Sequence, residues 1–343
     1  MTSRKSDAAE IARFLHELAN ELWLDSSSRW WPHFLFHVTD IRNVPSIIAS
    51  NRLFCRSLAM SKRLMVTDNA SPEIIAQTRS QVHDNVRLYF RPRTPTFFRN
   101  EGIRPRGMRE LGAHCPIPVA LLFDAKQVLG MSDTHFSDGN LASGRCAATG
   151  NDVSFLRQIP FQTVYHDLSF SPDERDEIVF RRHAEVIVPQ ELSLEGLRYL
   201  VTRSYAEFET LRTLLERDGR ITANDRTNIF LRTRSQPTWS LFFNKWTYVE
   251  RVDIIDDCVR VKFSPNTITP GPFTAKLAYE SALSGKTSIS TLNHFAANKT
   301  YRFPIPNHLR ADPFWFTLRL DDSLAYQSKL VPSVAEDIWE MPF

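Results

Sequence analysis

Glu185 lies inside the apolar segment AEVIV (184–188), which has the composition of a buried β-strand. A glutamate is rarely buried without a partner, because its charge loses the stabilisation that water provides. Arg181, Arg182 and His183 come just before it and are the expected partners. If this strand is buried, the carboxylate is the chain's foremost candidate for a chemical role. The alternative is a strand whose glutamate faces solvent.

A basic tract precedes this segment. Residues 41–109 hold thirteen Lys and Arg against four Asp and Glu, whereas residues 110–185 hold six against eleven. Aromatic residues are interleaved with the arginines: Tyr89, Phe90, Phe97 and Phe98. Arginine binds phosphates with a planar fork and aromatic faces stack on bases, so this tract suits a single-stranded nucleic acid. A solvated basic surface is the alternative interpretation.

Four segments of the chain occur in the order that a known family shows. They are FHVTDIRNVPSII (36–48), LYFRPRTP (88–95), HFSDGNLAS (135–143) and RHAE (182–185). Each is weakly specific alone. Together, in order and with compatible spacing, they resemble the DarT family of DNA ADP-ribosyltransferase toxins. The resemblance covers roughly residues 34–200 and nothing after about 220.

The resemblance implies an enzyme that uses NAD as co-substrate, with Glu185 as its catalytic carboxylate. Such an enzyme binds NAD in an extended form, expels nicotinamide and stabilises an oxocarbenium-like ribose. A carboxylate can hold the ribose 2′-hydroxyl and offset the developing positive charge. In this family it also helps to deprotonate the attacking base. A second catalytic residue of the family is an upstream arginine, for which Arg79 is the first candidate and Arg63 the second.

The resemblance also implies which residues bind NAD. The predicted set is His37, Thr39, Asn43, Ser46, Tyr89 and Arg93. The backbone around His37 would pair with the nicotinamide amide while its ring orients the ribose, and Thr39 would be the neighbouring contact. Tyr89 would stack on nicotinamide or belong to the core. Arg93 would bind the NAD pyrophosphate, or a phosphate of the substrate, through its guanidinium fork.

Residues 151–181 correspond, by the same resemblance, to the loop region that selects the acceptor. The predicted contacts to DNA are Tyr165 and His166 in this region, together with Arg91. Family members often carry a tryptophan here, but this chain has none between Trp31 and Trp239. That departure leaves the base open: thymine is the usual acceptor of the family and guanine is the alternative. The turn-like sequence SDGN (137–140) is expected to shape the mouth of the site.

These residues need a sheet to position them. Hydrophobic periodicity predicts an amphipathic helix over 6–24 and another over 205–217, with strands at 34–38, 86–90, 118–123 and 184–188. No Rossmann glycine fingerprint is present. The resemblance implies an α+β protein with an ADP-ribosyltransferase-like split mixed β-sheet and flanking helices.

The character of the sequence changes beyond residue 220. Residues 219–227 have the composition of a linker, and two predicted hairpins, at 249–263 and 314–331, turn at acidic residues. The regular spacing of short strands predicts a smaller all-β C-terminal domain, whose aromatic residues form a core. The predicted domains are a DarT-like ADP-ribosyltransferase domain with an N-terminal helix (1–220) and a β-rich accessory domain (228–343).

Composition limits the classes that remain. The net charge of the 343 residues is +3, and no apolar run approaches the roughly 18 residues of a membrane span. The N-terminus lacks a signal-peptide core, so a cytoplasmic protein without a membrane partner is expected. The four cysteines form no CxxC pair and no His lies at a zinc-finger interval, so neither disulfides nor a metal is expected.

The leading hypothesis is a toxin that transfers ADP-ribose from NAD to a base in single-stranded DNA. Its family implies a toxin–antitoxin pair in phage defence, with a DarG-like macrodomain antitoxin that removes the ADP-ribose. Two alternatives remain. The acceptor is RNA or protein in the first, and the domain is catalytically degenerate and only binds nucleic acid in the second.

Overall fold

The structure is a computed structural model, and it describes residues 3–69, 83–109, 112–217, 230–233 and 238–332. The chain divides into two compact units. The first holds Met1–Glu101, Arg109–Arg203 and Leu214–Phe243; the second holds Gly102–Met108, Ser204–Thr213 and Asn244–Phe343. The units are therefore discontinuous in sequence, whereas the two predicted domains were continuous. The predicted linker lies almost wholly outside the described residues.

The first unit is built on a mixed sheet. Its strands are β1 (Phe34–Asp40), β2 (Arg52–Phe54), β3 (Asn85–Tyr89), β4 (Pro118–Asp124), β5 (His135–Ser137), β6 (Thr149–Gly150), β7 (Glu185–Pro189), β8 (Glu191–Ser193), β9 (Leu197–Thr202) and β10 (Phe230–Thr233). Eight of these pair in the order β10-β9-β4-β1-β3-β7-β5-β6, while β2 pairs with β8. Only β9 and β10 pair in parallel in this sheet. The predicted α+β class is confirmed.

Short helices flank this sheet. They are α1 (Ala8–Ala19), α2 (Val44–Ser50), α3 (Arg56–Ser61), α4 (Pro95–Asn100), α5 (Ala125–Leu129), α6 (Val153–Gln158), α7 (Phe161–Val164) and α8 (Arg175–Arg181), and α9 (Tyr205–Arg217) follows the last central strand. The prediction of a first helix over 6–24 was too long. Its buried face is complete at Leu18, and the backbone N–H of Asn20 caps the last turn, so the chain turns away and leaves Leu22 93% exposed.

The centre of the sheet explains why its strands were readable. Residues Pro118 to Phe123 of β4 are buried without a break, because neighbouring strands and both faces of the sheet cover them. On β1 and β3, by contrast, buried and less buried positions are interspersed. These two strands therefore present side chains to a surface as well as to the core.

The second unit is antiparallel β-structure. Its strands are β11 (Val249–Ile255), β12 (Cys258–Phe263), β13 (Phe273–Ser281), β14 (Thr287–Phe295), β15 (Thr300–Pro304), β16 (Phe314–Leu320) and β17 (Ser323–Leu330). They form sheets of order β11-β12-β15 and β14-β13-β16-β17. Both acidic turns carry positive φ values, 47° and 55° at Asp256 and Asp257, as two-residue hairpin loops require. The predicted all-β C-terminal structure is confirmed, and Phe314 and Phe316 are fully buried in its core.

Candidate active site

Glu185 is the first residue of β7, and its side chain has no exposed surface. The guanidinium of Arg87 donates to both carboxylate oxygens, from Nε to Oε2 and from Nη2 to Oε1. The backbone N–H of Leu141 donates to Oε1 at 3.4 Å. Of the two interpretations of this strand, the structure shows the buried one.

Arg87 is the partner of Glu185 because of the strand register. β3 and β7 are antiparallel, and Tyr89 lies directly opposite Glu185. Arg87 is two residues from Tyr89, so it shares the same face and is the diagonal neighbour of Glu185, within reach of a long side chain. Burial disfavours the charged guanidinium, but the charge of Glu185 outweighs it and raises the pKa of Arg87 above its ordinary value.

The partners predicted for Glu185 from the sequence were wrong. Arg181 pairs with Asp138 and Glu177, at 2.5 and 2.7 Å. Arg182 donates to backbone and ring atoms of His166. Proximity in sequence misled the prediction, because residues just before a strand start point away from its paired face.

His183 is buried and neutral. Its Nδ1–H donates to the carbonyl of Val179 at 2.8 Å, and its Nε2 accepts from the backbone N–H and the hydroxyl of Thr96 at 3.2 and 2.9 Å. Burial lowers the pKa of His183 to about 4. This ring therefore ties the end of α8 to the start of α4 rather than serving Glu185.

The predicted turn at 137–140 lies against Glu185. The hydroxyl of Ser137 accepts from the backbone N–H of Glu185 at 3.1 Å and donates to the carbonyl of Gly139 at 2.7 Å. A Cβ on Gly139 would come within 2.3 Å of the Phe180 ring, so only glycine fits here. The turn delivers the N–H of Leu141 to the carboxylate, which fixes one side of it.

A pocket of about 160 Å³ adjoins the ion pair, with Arg87 common to both. Its lining comes mainly from β1, β3 and α4: Phe36, His37, Val38, Asn69, Arg87, Tyr89, Pro92, Thr94, Thr96, Phe97, Asn100 and Cys115. Ligand pockets commonly measure roughly 300–1,000 Å³, so this one holds one end of an extended dinucleotide.

Two of the predicted NAD-binding residues line this pocket. The Nδ1 of His37 lies 3.1 Å from the carbonyl oxygen of Arg87, which can only accept, so Nδ1 carries the proton and Nε2 is an acceptor. Burial lowers the pKa of His37 and keeps its ring neutral. Burial also raises the pKa of Tyr89 to about 12, so its phenol stays a hydrogen-bond donor.

Three other predicted NAD-binding residues are used inside the protein. The amide of Asn43 donates to the Thr39 hydroxyl at 3.1 Å and to the Thr67 carbonyl at 2.9 Å. Its Oδ1 accepts from the backbone N–H groups of Val66 and Thr67. The carbonyl of Ser46 accepts from the next turn of α2. Asn43 therefore clamps the segment around 66–67, and these three residues support the site from behind.

The predicted DNA contacts separate by burial. The side chain of Arg91 is 1% exposed and donates to the carbonyls of Val164 and His166, at 3.0 and 2.6 Å, and to Asp167 at 2.8 Å. Tyr165 is also buried. Both residues build the loop from within, because their polar and aromatic groups are already engaged. His166 is half-buried and is the one of the three that reaches the surface.

Arg93 lies on the same loop and is partly exposed. It pairs with Asp167, which thus bridges Arg91 and Arg93, and its guanidinium lies over the Phe243 ring at 5.7 Å. Arg93 does not line the pocket itself, although its neighbours Pro92 and Thr94 do.

The predicted upstream arginine, Arg79, lies outside the described residues. Arg63, the second candidate, is described and follows α3 with a positive φ of 55°. Arg87 is the functional residue that the sequence reasoning missed. The available signal was alternation along β3, which puts an arginine on the same face as Tyr89.

Within the part of the chain that the structure describes, no group of three or more His, Cys, Asp or Glu side chains could hold a metal ion. No described helix is long and apolar enough to cross a membrane.

Comparison with known proteins gives one family. The family model described as DarT, ssDNA thymidine ADP-ribosyltransferase, matches residues 36–239. No curated protein matches the chain.

Several solved structures are similar to part of the chain. DarT of Thermus sp. 2.9 in complex with NAD+ is 16% identical with a TM-score of 0.47, over 62% of this chain and 98% of that chain. The same protein in complex with ADP-ribosylated ssDNA is 17% identical with a TM-score of 0.47, over 62% and 97%. Thermosipho africanus DarTG in complex with ADP-ribose is 17% identical with a TM-score of 0.47, over 65% and 53%.

Proposed function

The chain belongs to the DarT family of ssDNA thymidine ADP-ribosyltransferases, and we propose that Glu185 is the residue with which it carries out this reaction. One observation carries the proposal. A fully buried carboxylate is fixed by Arg87 beside a pocket that His37 and Tyr89 line. A buried, oriented carboxylate is what a developing oxocarbenium ion needs, because its charge is strongest where water is excluded.

The pocket accepts the nicotinamide end of NAD in this proposal. Tyr89 offers an aromatic face and a donor, and the Nε2 of His37 offers an acceptor for an amide or hydroxyl hydrogen. The bond between nicotinamide and the ribose breaks, and its electron pair leaves with the neutral nicotinamide. The carboxylate of Glu185 holds the ribose hydroxyl and offsets the positive charge left on the sugar.

Glu185 reaches the ribose only after a side chain moves. Its carboxylate has no exposed surface, and Arg87 is the pocket-lining residue that contacts it. Binding of NAD therefore draws Arg87 aside, and the anionic pyrophosphate of NAD is a suitable second partner for that guanidinium. Arg87 thus keeps the carboxylate charged and oriented until the co-substrate arrives.

Thymine is the acceptor that the family description favours over guanine. The N3 atom of the base attacks C1 of the ribose, and its proton passes to Glu185, which is free to receive it once the sugar charge is neutralised. Arg93 binds a phosphate, of NAD or of the DNA strand, in exchange for Asp167. His166 contacts the base, whereas Arg91 and Tyr165 hold the loop in shape.

The biological setting follows from the family. The chain is the toxin of a toxin–antitoxin pair in phage defence, and its partner is a macrodomain antitoxin that removes the ADP-ribose. DNA and NAD are both present in the bacterial cytoplasm, which is where the reaction takes place. The β-rich C-terminal structure serves as an accessory domain for nucleic acid or antitoxin, since every motif of the resemblance lies before it.

The experiment that tests this function supplies labelled NAD with single-stranded DNA, RNA and protein in separate reactions. Label transferred to thymidine-containing DNA alone supports the proposal. Label on RNA or protein supports the first alternative. No NAD consumption with any acceptor means that the domain is degenerate.

A further inference from the structure

Two arginines hold the loop around His166 in place beside the active site. The carbonyl oxygen of His166 accepts from Nη1 of Arg91 at 2.6 Å and from Nε of Arg182 at 2.8 Å. Arg91 follows Tyr89 by two residues, and Arg182 precedes Glu185 by three. Because the adjacent ends of β3 and β7 carry Tyr89 and Glu185, the loop is anchored where the pocket residues leave the sheet.

Arg182 also fixes the proton of the His166 ring. Its Nη2 lies 2.9 Å from Nδ1 of His166. An arginine guanidinium has donors and no acceptor, so Nδ1 must supply a lone pair. In a neutral imidazole the proton is then on Nε2, which makes Nε2–H a donor of fixed direction.

The surroundings keep this ring neutral. Partial burial, then the positive charges of Arg182 and Arg91, lower the pKa of His166, against a weaker opposing effect of Glu174. A neutral ring keeps one donor and one acceptor, and the acceptor is already occupied by Arg182.

The remaining donor is available to a ligand. His166 is half-buried, and Nε2 makes no hydrogen bond to the described residues. Phe170 lies beside the ring at 6.3 Å between centroids, and the guanidinium of Arg182 covers Phe170 at 4.8 Å. The ring is therefore supported on one side, and its Nε2–H is the polar group that it presents.

We infer that His166 is the residue that selects the acceptor base, by donating from Nε2–H to a carbonyl oxygen next to the attacking nitrogen. The inference rests on the proposed function, because it concerns the acceptor of that reaction. Thymine carries carbonyl oxygens O2 and O4 on either side of N3. A donor to either oxygen stabilises the negative charge that spreads onto it when N3 loses its proton.

The same donor rejects cytosine. Cytosine has an amino group where thymine has O4, so a fixed Nε2–H meets another donor there and one buried polar group is left unpaired. A histidine free to change tautomer could accept from that amino group. The lock by Arg182 removes this option, and Arg182 is therefore the positioning residue for His166.

The test compares oligonucleotides that carry one acceptor: thymine, 2-thiothymine or 4-thiothymine. Sulfur accepts hydrogen bonds weakly, so the enzyme should lose kcat/KM on one of the thio bases. In His166→Phe that discrimination should shrink by about tenfold, the size expected for one hydrogen bond, and His166→Gln, which keeps an N–H donor, should restore part of it. The effect of sulfur on N3 itself cancels, because each variant is measured on all three bases.

His135→Phe is the matched control, since His135 is an exposed histidine of the same unit outside the loop. It should discriminate as the unaltered protein does. Equal discrimination by His166→Phe and the unaltered protein, on both thio bases, would overturn the inference. If the unaltered protein modifies no oligonucleotide, the proposed function fails instead, and the two failures are thus distinct.

The tautomer can be measured directly. In the protein labelled with 15N-histidine, the His166 ring, assigned by its loss in His166→Phe, should show an unprotonated Nδ1 and a protonated Nε2. Arg182→Met should mix the tautomers and reduce the base discrimination together. A protonated Nδ1 in the unaltered protein would contradict the lock.

Discussion

Removing Arg87 should leave an uncompensated charge in the protein interior. Arg87→Met keeps a side chain of comparable length but removes the guanidinium that binds both oxygens of Glu185. The carboxylate has no exposed surface, and the N–H of Leu141 at 3.4 Å is then its remaining side-chain contact among the bonds described above.

The expected cost follows from this burial. Removing one partner of a buried ion pair destabilises a protein by about 3–5 kcal/mol. The side chain of Arg87 is 27% exposed, so solvent screens part of the pair and the lower end, about 3 kcal/mol, applies. Total stabilities are about 5–15 kcal/mol, so the variant should fold with a clearly lower urea midpoint.

The assay is urea unfolding followed by circular dichroism, with a double-mutant cycle. Glu185→Gln removes the charge, so adding it to Arg87→Met should recover a large part of the loss, giving a coupling of about 2 kcal/mol. Arg157→Met is the control, because its pair with Glu17 is 47% exposed on both sides and such pairs contribute roughly 0–1 kcal/mol. A cost for Arg87→Met as small as that of the control would refute the account of a buried, paired carboxylate.

Two further predictions concern binding and pH. Arg93→Ala should weaken binding of NAD or single-stranded DNA by about 10- to 100-fold, as loss of a charge-assisted hydrogen bond does; titration calorimetry measures it, and unchanged affinity for both ligands would make Arg93 a structural residue only. His183 should make stability pH-dependent, because burial lowers its pKa to about 4 while the unfolded residue titrates near 6.5. The unfolded chain then binds the proton first, so the free energy of unfolding should fall between pH 6.5 and 4 by roughly 3 kcal/mol and be insensitive to this residue above pH 6.5. In His183→Gln that fall should be smaller, and an unchanged profile would contradict the assignment.

Local patterns predicted the elements well. The unbroken apolar run at 118–123 became β4, and the acidic residues at 256–257 became a hairpin turn, because both signals depend only on neighbouring residues. The separation into compact units was less predictable. Segments 102–108 and 204–213 belong to the second unit through contacts distant in sequence, which no composition change marks.

The site shows the same division. Glu185, His37 and Tyr89 were predicted, and the structure brings them to one place. Arg87 was missed, since its pairing depends on the register of β3 against β7, which is a property of two strands 98 residues apart. Asn43 was predicted as a ligand-binding residue, yet its amide is fully engaged by the chain around Thr67. A motif indicates which residues matter but does not separate those that touch the ligand from those that hold the site.

The central claim is that Glu185 transfers ADP-ribose from NAD to thymidine in single-stranded DNA. Mass spectrometry of an oligonucleotide with one thymidine, incubated with NAD and protein, tests it most directly. The unaltered protein should add the mass of one ADP-ribose to that thymidine. Glu185→Gln, folded by circular dichroism, should slow the addition by on the order of 10² to 10⁴, as loss of one such group typically does. An unmodified thymidine with the unaltered protein, or equal modification by Glu185→Gln, would contradict the account.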